Sequence, residues 1–345
     1  MRHRLLTTSF LLFSVACGAP PVGDEVDGVE LASTEQAIVN GEVSGSASDD
    51  ATVYVRARWE AEAVACTGTL IAPNLVATAL HCITETPSGA CTVTAQQCFS
   101  CNSDGTLSED STLGRIGPLI DAADVNVTVG SQIVGVAPTA RAKQLFGSGS
   151  TQICRGDIGF ILLETDIDAP VTPVRLDWGV EPGDTIRILG YGETEVSGTS
   201  GRRMRSGVRV TEVGPASEDD PTITAAPRTF VVNEGPCHGD SGGPALAEDT
   251  GALVGVYSLT AGQSCTGIGV RNIYTNLSLF SNLARQAFQA SGHDPIIDPK
   301  PPEVERPGVV PESGCALAAA ARTTHTGGAL LLALAALGLV RRRRA

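Results

Sequence analysis

Glycine and proline break this chain up at short intervals. The sequence holds 39 glycines and 20 prolines in 345 residues, and between them stand short runs rich in Val, Ile and Thr. Branched side chains suit the pleated backbone of a strand, while Gly and Pro mark the turns between strands. The pattern fits an all-β unit, and about 250 residues is an ordinary size for one such unit. Aromatic residues are 4% of the chain, so the core has to be filled mostly by aliphatic side chains. One helix-like stretch, near residues 279–290, stands toward the end of this part.

Gly239-Asp240-Ser241-Gly242-Gly243-Pro244 is the stretch most suggestive of chemistry. Glycines on both sides let the backbone turn sharply and let a substrate come close. The N–H groups of Gly239 and Ser241 can then point at one oxygen, as an oxyanion hole requires. The same residues also make ordinary surface turns, so the rest of the chain has to decide.

A nucleophilic serine needs a base. His3 and His325 lie in terminal segments, His293 borders a Pro-rich stretch, and His238 is too close in sequence to Ser241 to reach around it. His81 remains. It follows a strand, a Pro73-Asn74 turn and a second strand, and it stands beside Cys82. The base in turn needs a carboxylate to fix its tautomer and support the imidazolium. Asp157 opens the apolar run Ile158-Gly159-Phe160-Ile161-Leu162-Leu163, and an acid at the mouth of a buried strand is costly unless hydrogen-bonded. Structural roles exist for each: a His-Cys pair as a staple, an aspartate as a cap.

Taken together, the order His81, Asp157, Ser241 resembles that of trypsin/chymotrypsin-like serine peptidases. The resemblance spans about residues 38–290. Its motifs are Ile38-Val39-Asn40-Gly41, Ala77-Thr78-Ala79-Leu80-His81-Cys82, Asp157-Ile158-Gly159-Phe160, the serine hexapeptide, and Tyr274-Thr275-Asn276-Leu277. A G-x-S-x-G elbow is formally present, but α/β-hydrolases run Ser, Asp, His, and no plausible base follows Ser241.

The resemblance implies an all-β, two-barrel antiparallel fold with a C-terminal helix over residues 38–291, and protein or peptide substrates. It implies Ser241 as nucleophile, His81 as general base, Asp157 as its orienting acid, and Gly239 and Ser241 as the oxyanion hole. No cofactor or metal is needed for that chemistry. It implies a zymogen with a propeptide at 18–37, cut by an activating protease between Ala37 and Ile38, whose new amino group pairs with Asp240. In the specificity pocket, Gly235 stands six residues before Ser241, where trypsin-type enzymes carry an aspartate; Glu234 falls just off the base. Thr260 narrows the wall, Asn272 lines the back, and Ser258 matches a serine that bonds the buried aspartate. A small or medium uncharged P1 residue is expected. The alternative is a catalytically silent homologue acting as a surface binding or adhesion module.

Ten cysteines and the chain's start point to export. Arg2 and Arg4 precede an apolar run at 5–16, a signal-peptide pattern, and Cys17 after Ser14-Val15-Ala16 resembles a bacterial lipobox. A competing cut after Ala19 leaves Pro20 first. Without Cys17 and Cys315, eight cysteines remain, an even number as an oxidising compartment suggests. Cys66–Cys82 and Cys237–Cys265 match family disulfides. Cys91, Cys98, Cys101 and Cys154 allow three pairings. Metal binding by this cysteine set is the competing reading. Residues 84–120 are longer than in compact relatives and read as a disulfide-stapled insertion that either shapes substrate access or decorates the surface.

Residues 292–314 are rich in Pro, Glu and Asp and are expected to act as an extended linker. Beyond them, residues 315–345 hold Cys315, an apolar stretch at 329–340 and four terminal-region arginines at 341–344. Twelve apolar residues are few for a membrane span, and the arginines fit the positive-inside rule. This segment resembles the MYXO-CTERM sorting tails of myxobacterial surface proteins; the competing reading is a marginal anchor that stays. Membrane attachment is thus expected through both ends, at the bacterial cell surface or outer membrane, with release outside also open. A formal net charge of -14 argues against nucleic acid and an anionic membrane surface as partners.

Overall fold

The computed structural model describes residues 38–60, 62–85, 101–102, 104–107, 114–192, 201–215, 225–233, 235–261 and 269–302. Thirteen strands and one α-helix are formed among them. In chain order the strands are β1 (Glu42–Val43), β2 (Thr52–Trp59), β3 (Glu62–Ala72), β4 (Leu75–Thr78), β5 (Val125–Thr128), β6 (Ala140–Gly147) and β7 (Gly159–Leu163). They continue with β8 (Thr185–Gly190), β9 (Arg203–Val213), β10 (Thr229–Val232), β11 (Pro244–Ala247), β12 (Leu253–Ala261) and β13 (Arg271–Asn276). Helix α1 (Ser281–Ser291) follows.

Two closed six-stranded antiparallel barrels result. The first runs β2-β3-β4-β7-β6-β5. The second runs β9-β10-β13-β12-β11-β8, closed by the β8–β9 pairing, with β1 added on β9. Closure leaves no open edge within either ring. The expected two-barrel architecture with a C-terminal helix is what the chain adopts.

Alternation explains the first barrel. Along β2, Val53, Val55 and Ala57 are buried while Arg56 and Arg58 face out. β7 is apolar at every position because both of its faces are covered. Ile161 and Leu163 point into the barrel interior, whereas Phe160 and Leu162 pack with Ala284, Ala287 and Phe288 of α1. A period of two thus divides one apolar run between two cores. The helix ends at Gly292, whose φ of +76° is the left-handed cap conformation. In the second barrel Phe230 stacks on Tyr274 at 5.2 Å, and Tyr257 leans on Tyr274 at 5.4 Å.

Arginines fasten the segment before β2 to the second barrel. Arg187 holds Asp49 with two bonds of 2.7 and 2.6 Å. Arg202, fully buried, donates to Asp50, to the Ser46 and Thr52 carbonyls and to Ser44. Arg205 donates to the Val39 carbonyl at 3.1 Å.

Past α1 the chain does not leave at once. The stretch expected to begin the linker returns to the barrel: Val174 exchanges backbone bonds with Ile296 and Asp298. Asp298 is buried against Arg175 Nε at 2.7 Å, and Arg175 lies over the Trp178 ring at 3.4 Å. Among the described residues no helix is long and apolar enough to cross a membrane. Cys17, the 18–37 segment, Cys315 and the 329–340 stretch lie outside those residues.

Candidate active site

The site assembles where strands of the first barrel meet a loop of the second. β3 and β4 are joined through the Pro73-Asn74 turn, and β4 delivers the chain into a short 3-10 helix, Leu80–Ile83, which carries His81. The Cys66–Cys82 disulfide ties this helix to β3. Asp157 enters just before β7, which pairs with β4. The two side chains therefore arrive from neighbouring strands.

Asp157 is fully buried, and both its carboxylate oxygens and its carbonyl are engaged. Oδ2 lies 2.6 Å from His81 Nδ1 and accepts from Ser258 Oγ at 2.6 Å; Oδ1 accepts the His81 backbone N–H at 2.8 Å. Its carbonyl accepts from Thr275 Oγ1 at 3.1 Å. A carboxylate facing Nδ1 requires the proton there, which leaves Nε2 as the acceptor nitrogen. Burial pushes the His81 pKa down, but the Asp157 charge and hydrogen bond outweigh it, and the net shift is upward.

The serine loop is held against the same strands. Thr67 on β3 donates its N–H to the Ser241 carbonyl at 2.7 Å and its hydroxyl to the Gly239 carbonyl at 3.2 Å. Gly239 has φ of +87°. A Cβ at Gly242 would stand 2.2 Å from the Thr67 carbonyl and the Thr78 hydroxyl, so only glycine allows this approach. Neighbouring amides are used internally: Asp240 donates to Cys237, Gly242 to Tyr257, and Gly243 to Asp240. Among the described residues no acceptor takes the Gly239 or Ser241 N–H.

Asp240 turns the other way. Its Oδ2 accepts from the Ile38 nitrogen at 3.1 Å and from Cys237 N–H at 2.9 Å, and its Oδ1 accepts from Gly192 N–H at 2.8 Å. Gly190 and Gly192 make room: a Cβ there would lie 2.0 and 2.9 Å from the carboxylate oxygen. Burial raises the Asp240 carboxyl to about 6, against the pull of those three N–H groups and Arg203. Ile38 is fully buried in the second-barrel core with φ of +47°, a region that β-branched residues enter only under constraint. Val39 N–H bonds the Gly235 carbonyl.

A family model described as Trypsin matches residues 38–284. The chain belongs to the trypsin family. Among curated proteins it is similar to chymotrypsin-C of Bos taurus, 25% identical over 300 residues, covering 82% of this chain and 97% of that protein. It is also similar to trypsin of Saccharopolyspora erythraea, 25% identical over 241 residues, covering 65% of this chain and 87% of that protein. Among solved structures it resembles the scabies mite inactivated protease paralogue S-I1, with TM-score 0.53 and 13% identity over 72% of this chain and 99% of that one. That last likeness speaks to the fold.

With the trypsin-family frame in place, the remaining sequence-predicted positions can be located. Ser258 commits its hydroxyl to Asp157 rather than to a pocket wall. Thr260 and Asn272 face each other across the β12–β13 ladder and are hydrogen-bonded at 2.7 Å. Gly235 is buried beside Ile188. Tyr257 was not among the expected pocket residues, yet its hydroxyl lies 2.5 Å from Thr260 Oγ1. Glu234 lies outside the described residues.

Of the four cysteines left open, Cys101 pairs with Cys154; Cys91 and Cys98 lie outside the described residues. Cys237 is disulfide-bonded, and its expected partner Cys265 also lies outside them. His81, Cys66 and Cys82 bring three potential metal-ligand atoms within 4.8 Å of one another, but both sulfurs are spent on the disulfide, leaving one nitrogen donor. His293 Nε2 lies 3.3 Å from Asp166 Oδ1 at the far end of α1, and His238 is exposed. Part of the 84–120 insertion, residues 116–119, walls a cavity of about 420 Å³ together with Leu80, the residue before His81.

Proposed function

We propose that the chain is a serine endopeptidase made as a zymogen. The observation that carries the reading is the fully hydrogen-bonded Asp157 carboxylate at His81 Nδ1. It makes Nε2 the ring nitrogen that accepts a proton. Ser241 Oγ attacks the scissile carbonyl as His81 accepts its proton, and the Gly239 and Ser241 N–H groups receive the oxyanion. His81 then protonates the leaving amine. Water, deprotonated by His81, hydrolyses the acyl-enzyme and restores Ser241.

Activation follows from the surroundings of Asp240. In the uncut chain the inserted Ile38 nitrogen is a neutral amide, so it brings Asp240 no positive charge, and the pull of Arg203 does not outweigh burial. A carboxyl raised from 3.8 to about 6 corresponds to a penalty of about 3 kcal/mol at neutral pH. For an acid, a raised folded pKa means that this stability is lost as pH rises from about 4 to 6. A cut between Ala37 and Ile38 turns the amide into an ammonium beside Asp240. It also removes the preceding peptide unit that defines the unfavourable φ of Ile38.

Export and surface retention complete the proposal: a lipidated or cleaved leader ending near Cys17, and a sorting tail beginning at Cys315. Both rest on the sequence patterns described above. The P1 residue is small or medium and uncharged: Gly235 offers no carboxylate, and Thr260, hydrogen-bonded to Asn272, narrows the wall in the reading that the family resemblance supports.

The test is a panel of peptide substrates differing only at P1, given to enzyme cut after Ala37 and to its Ser241→Ala counterpart. Cleavage after Ala, Val or Leu by the first and not the second supports the reading. No cleavage of any member by the first, or equal cleavage by both, overturns it.

A further inference from the structure

The strand ladder that brings His81 and Asp157 together stops short of both. β4 and β7 are paired as far as Thr78 and Gly159, so His81 lies three residues past the last pair and Asp157 two residues before it. Beyond the ladder, the described parts of the 84–120 insertion run between the two segments and bond to each. At the His81 end, Ile120 N–H donates to the Ile83 carbonyl at 3.2 Å and Glu85 N–H to the Pro118 carbonyl at 2.9 Å, and Thr84 bridges Leu119. At the Asp157 end, Ile116 N–H donates to the Thr151 carbonyl and Ile153 N–H to the Gly114 carbonyl, both at 2.9 Å. Leu107 N–H reaches Gln152 Oε1 at 3.2 Å, and Arg155 Nε donates to the Gly105 carbonyl at 3.2 Å. The Cys101–Cys154 disulfide adds a covalent tie three residues before Asp157.

Direct packing does not do this job. Between the fastened ends lies the cavity of about 420 Å³, with Leu80 and Thr84 on its His81 side and Gly149, Ser150 and Thr151 on its Asp157 side. Atoms facing a gap forfeit their dispersion contacts, so the two segments do not rest on one another there. Gly156, between Cys154 and Asp157, has φ of +138°, and glycine is the residue whose backbone turns most freely. A hinge of that kind beside the orienting acid makes an anchor at Cys154 useful.

We propose that the insertion is a strap that positions the triad: Cys101–Cys154 at one end and the Gly117-Pro118 contact at the other set the spacing of Asp157 and His81. The proposal rests on the peptidase reading above and names positioning residues for it. Cys101, Cys154 and Gly117 act through Asp157 and His81, and no bond at them is made or broken during turnover. The strap therefore governs kcat and leaves KM alone. Against burial, which lowers it, the Asp157 charge holds the His81 pKa up, so a displaced Asp157 moves the His81 titration to lower pH.

The experiment uses enzyme cut after Ala37 and perturbs each end separately. Cys101→Ala/Cys154→Ala opens the Asp157 end. Gly117→Ala pushes on the His81 end, because a Cβ there would stand 2.1 Å from the Glu85 carbonyl oxygen. For each variant, kcat and KM are measured on a cleaved peptide across pH, the His81 ring is titrated by NMR, and the melting temperature is recorded. Both variants should lose at least about tenfold in kcat with KM within about twofold, and the acid limb and the His81 titration should both move down. Unchanged kcat and His81 titration in either variant, whatever the melting temperature does, overturns the proposal. A raised KM at constant kcat also overturns it, since the insertion would then be a substrate contact. The NMR titration needs no turnover. If cut wild type cleaves no peptide, the peptidase reading falls, and the titration alone still decides whether the strap places Asp157 at His81.

Discussion

Ser258 Oγ donates to Asp157 Oδ2 at 2.6 Å, on the same oxygen that faces His81. Ser258 comes from β12 of the second barrel and Asp157 from the first, so this bond spans the two rings at the site. Ser258→Ala leaves a buried carboxylate one partner short. A hydrogen bond to a charged group is worth about 1.5–3 kcal/mol, and chemical denaturation should show a loss of that order. Turnover should fall as well, since His81 then depends on a less firmly held acid.

If His81 is the base, the acid limb of the pH profile should report it. The base must be neutral to take the Ser241 proton, and Asp157 holds the His81 pKa above its ordinary value of 6.5. Activity should therefore fall as pH drops through a value above 6.5. The sign for stability is the opposite. A raised histidine pKa stabilises the fold fully below the unfolded value and loses that contribution as pH rises through the folded one. Asp157→Asn should move the kinetic limb downward and reduce kcat by about four powers of ten. An unmoved limb in that variant would assign the titration to another group.

Gly190→Ala tests the activation site without touching the triad. Its Cβ would stand 2.0 Å from Asp240 Oδ1, which cannot move without giving up the Gly192 or Ile38 bond. After the Ala37–Ile38 cut, this variant should show at least about a tenfold loss of kcat/KM, because Asp240 and Ser241 are adjacent in one loop. Wild-type kinetics in cut Gly190→Ala would mean that Asp240 placement does not govern the site.

The return of the chain after α1 should matter for stability rather than chemistry. Asp298 is buried against Arg175, and removing one partner of a buried ion pair costs about 3–5 kcal/mol. Arg175 keeps its place over the Trp178 ring and a longer ionic contact to the exposed Asp249, at 3.5 Å. Asp298→Ala should lower the melting temperature substantially while leaving kcat/KM of the folded enzyme unchanged. Parallel loss of both would tie this segment to the cleft.

Much of this was legible because local pattern and tertiary role agree. The Pro73-Asn74 turn between two apolar runs places His81, and the run after Asp157 becomes β7 with a core on each face. Tyr257 was not legible as a partner of Thr260 and Asn272. It lies three positions from Thr260, and in a regular strand such residues face opposite ways. A register shift between Tyr257 and Leu259 brings both hydroxyls to one side, and no residue pattern in β12 announces it. The Asp298–Arg175 pair was equally hidden. Proline-rich composition suggests an extended segment, and composition cannot show that its backbone finds Val174 or that a buried arginine waits 123 residues upstream. The Cys101–Cys154 pairing needed three-dimensional proximity, which spacing does not supply.

Under the proposed function, Ser241, activated by His81, is the nucleophile of a chain switched on by cutting after Ala37. A fluorophosphonate probe reacts with a serine whose base and oxyanion donors are in place. Full-length chain, chain cut after Ala37, and cut His81→Ala should be treated in parallel and their peptides weighed by mass spectrometry. A single adduct is expected on the peptide containing Ser241, abundant in the cut chain and reduced by orders of magnitude in the other two. No adduct on Ser241 in the cut chain, or equal labelling in all three, would contradict it.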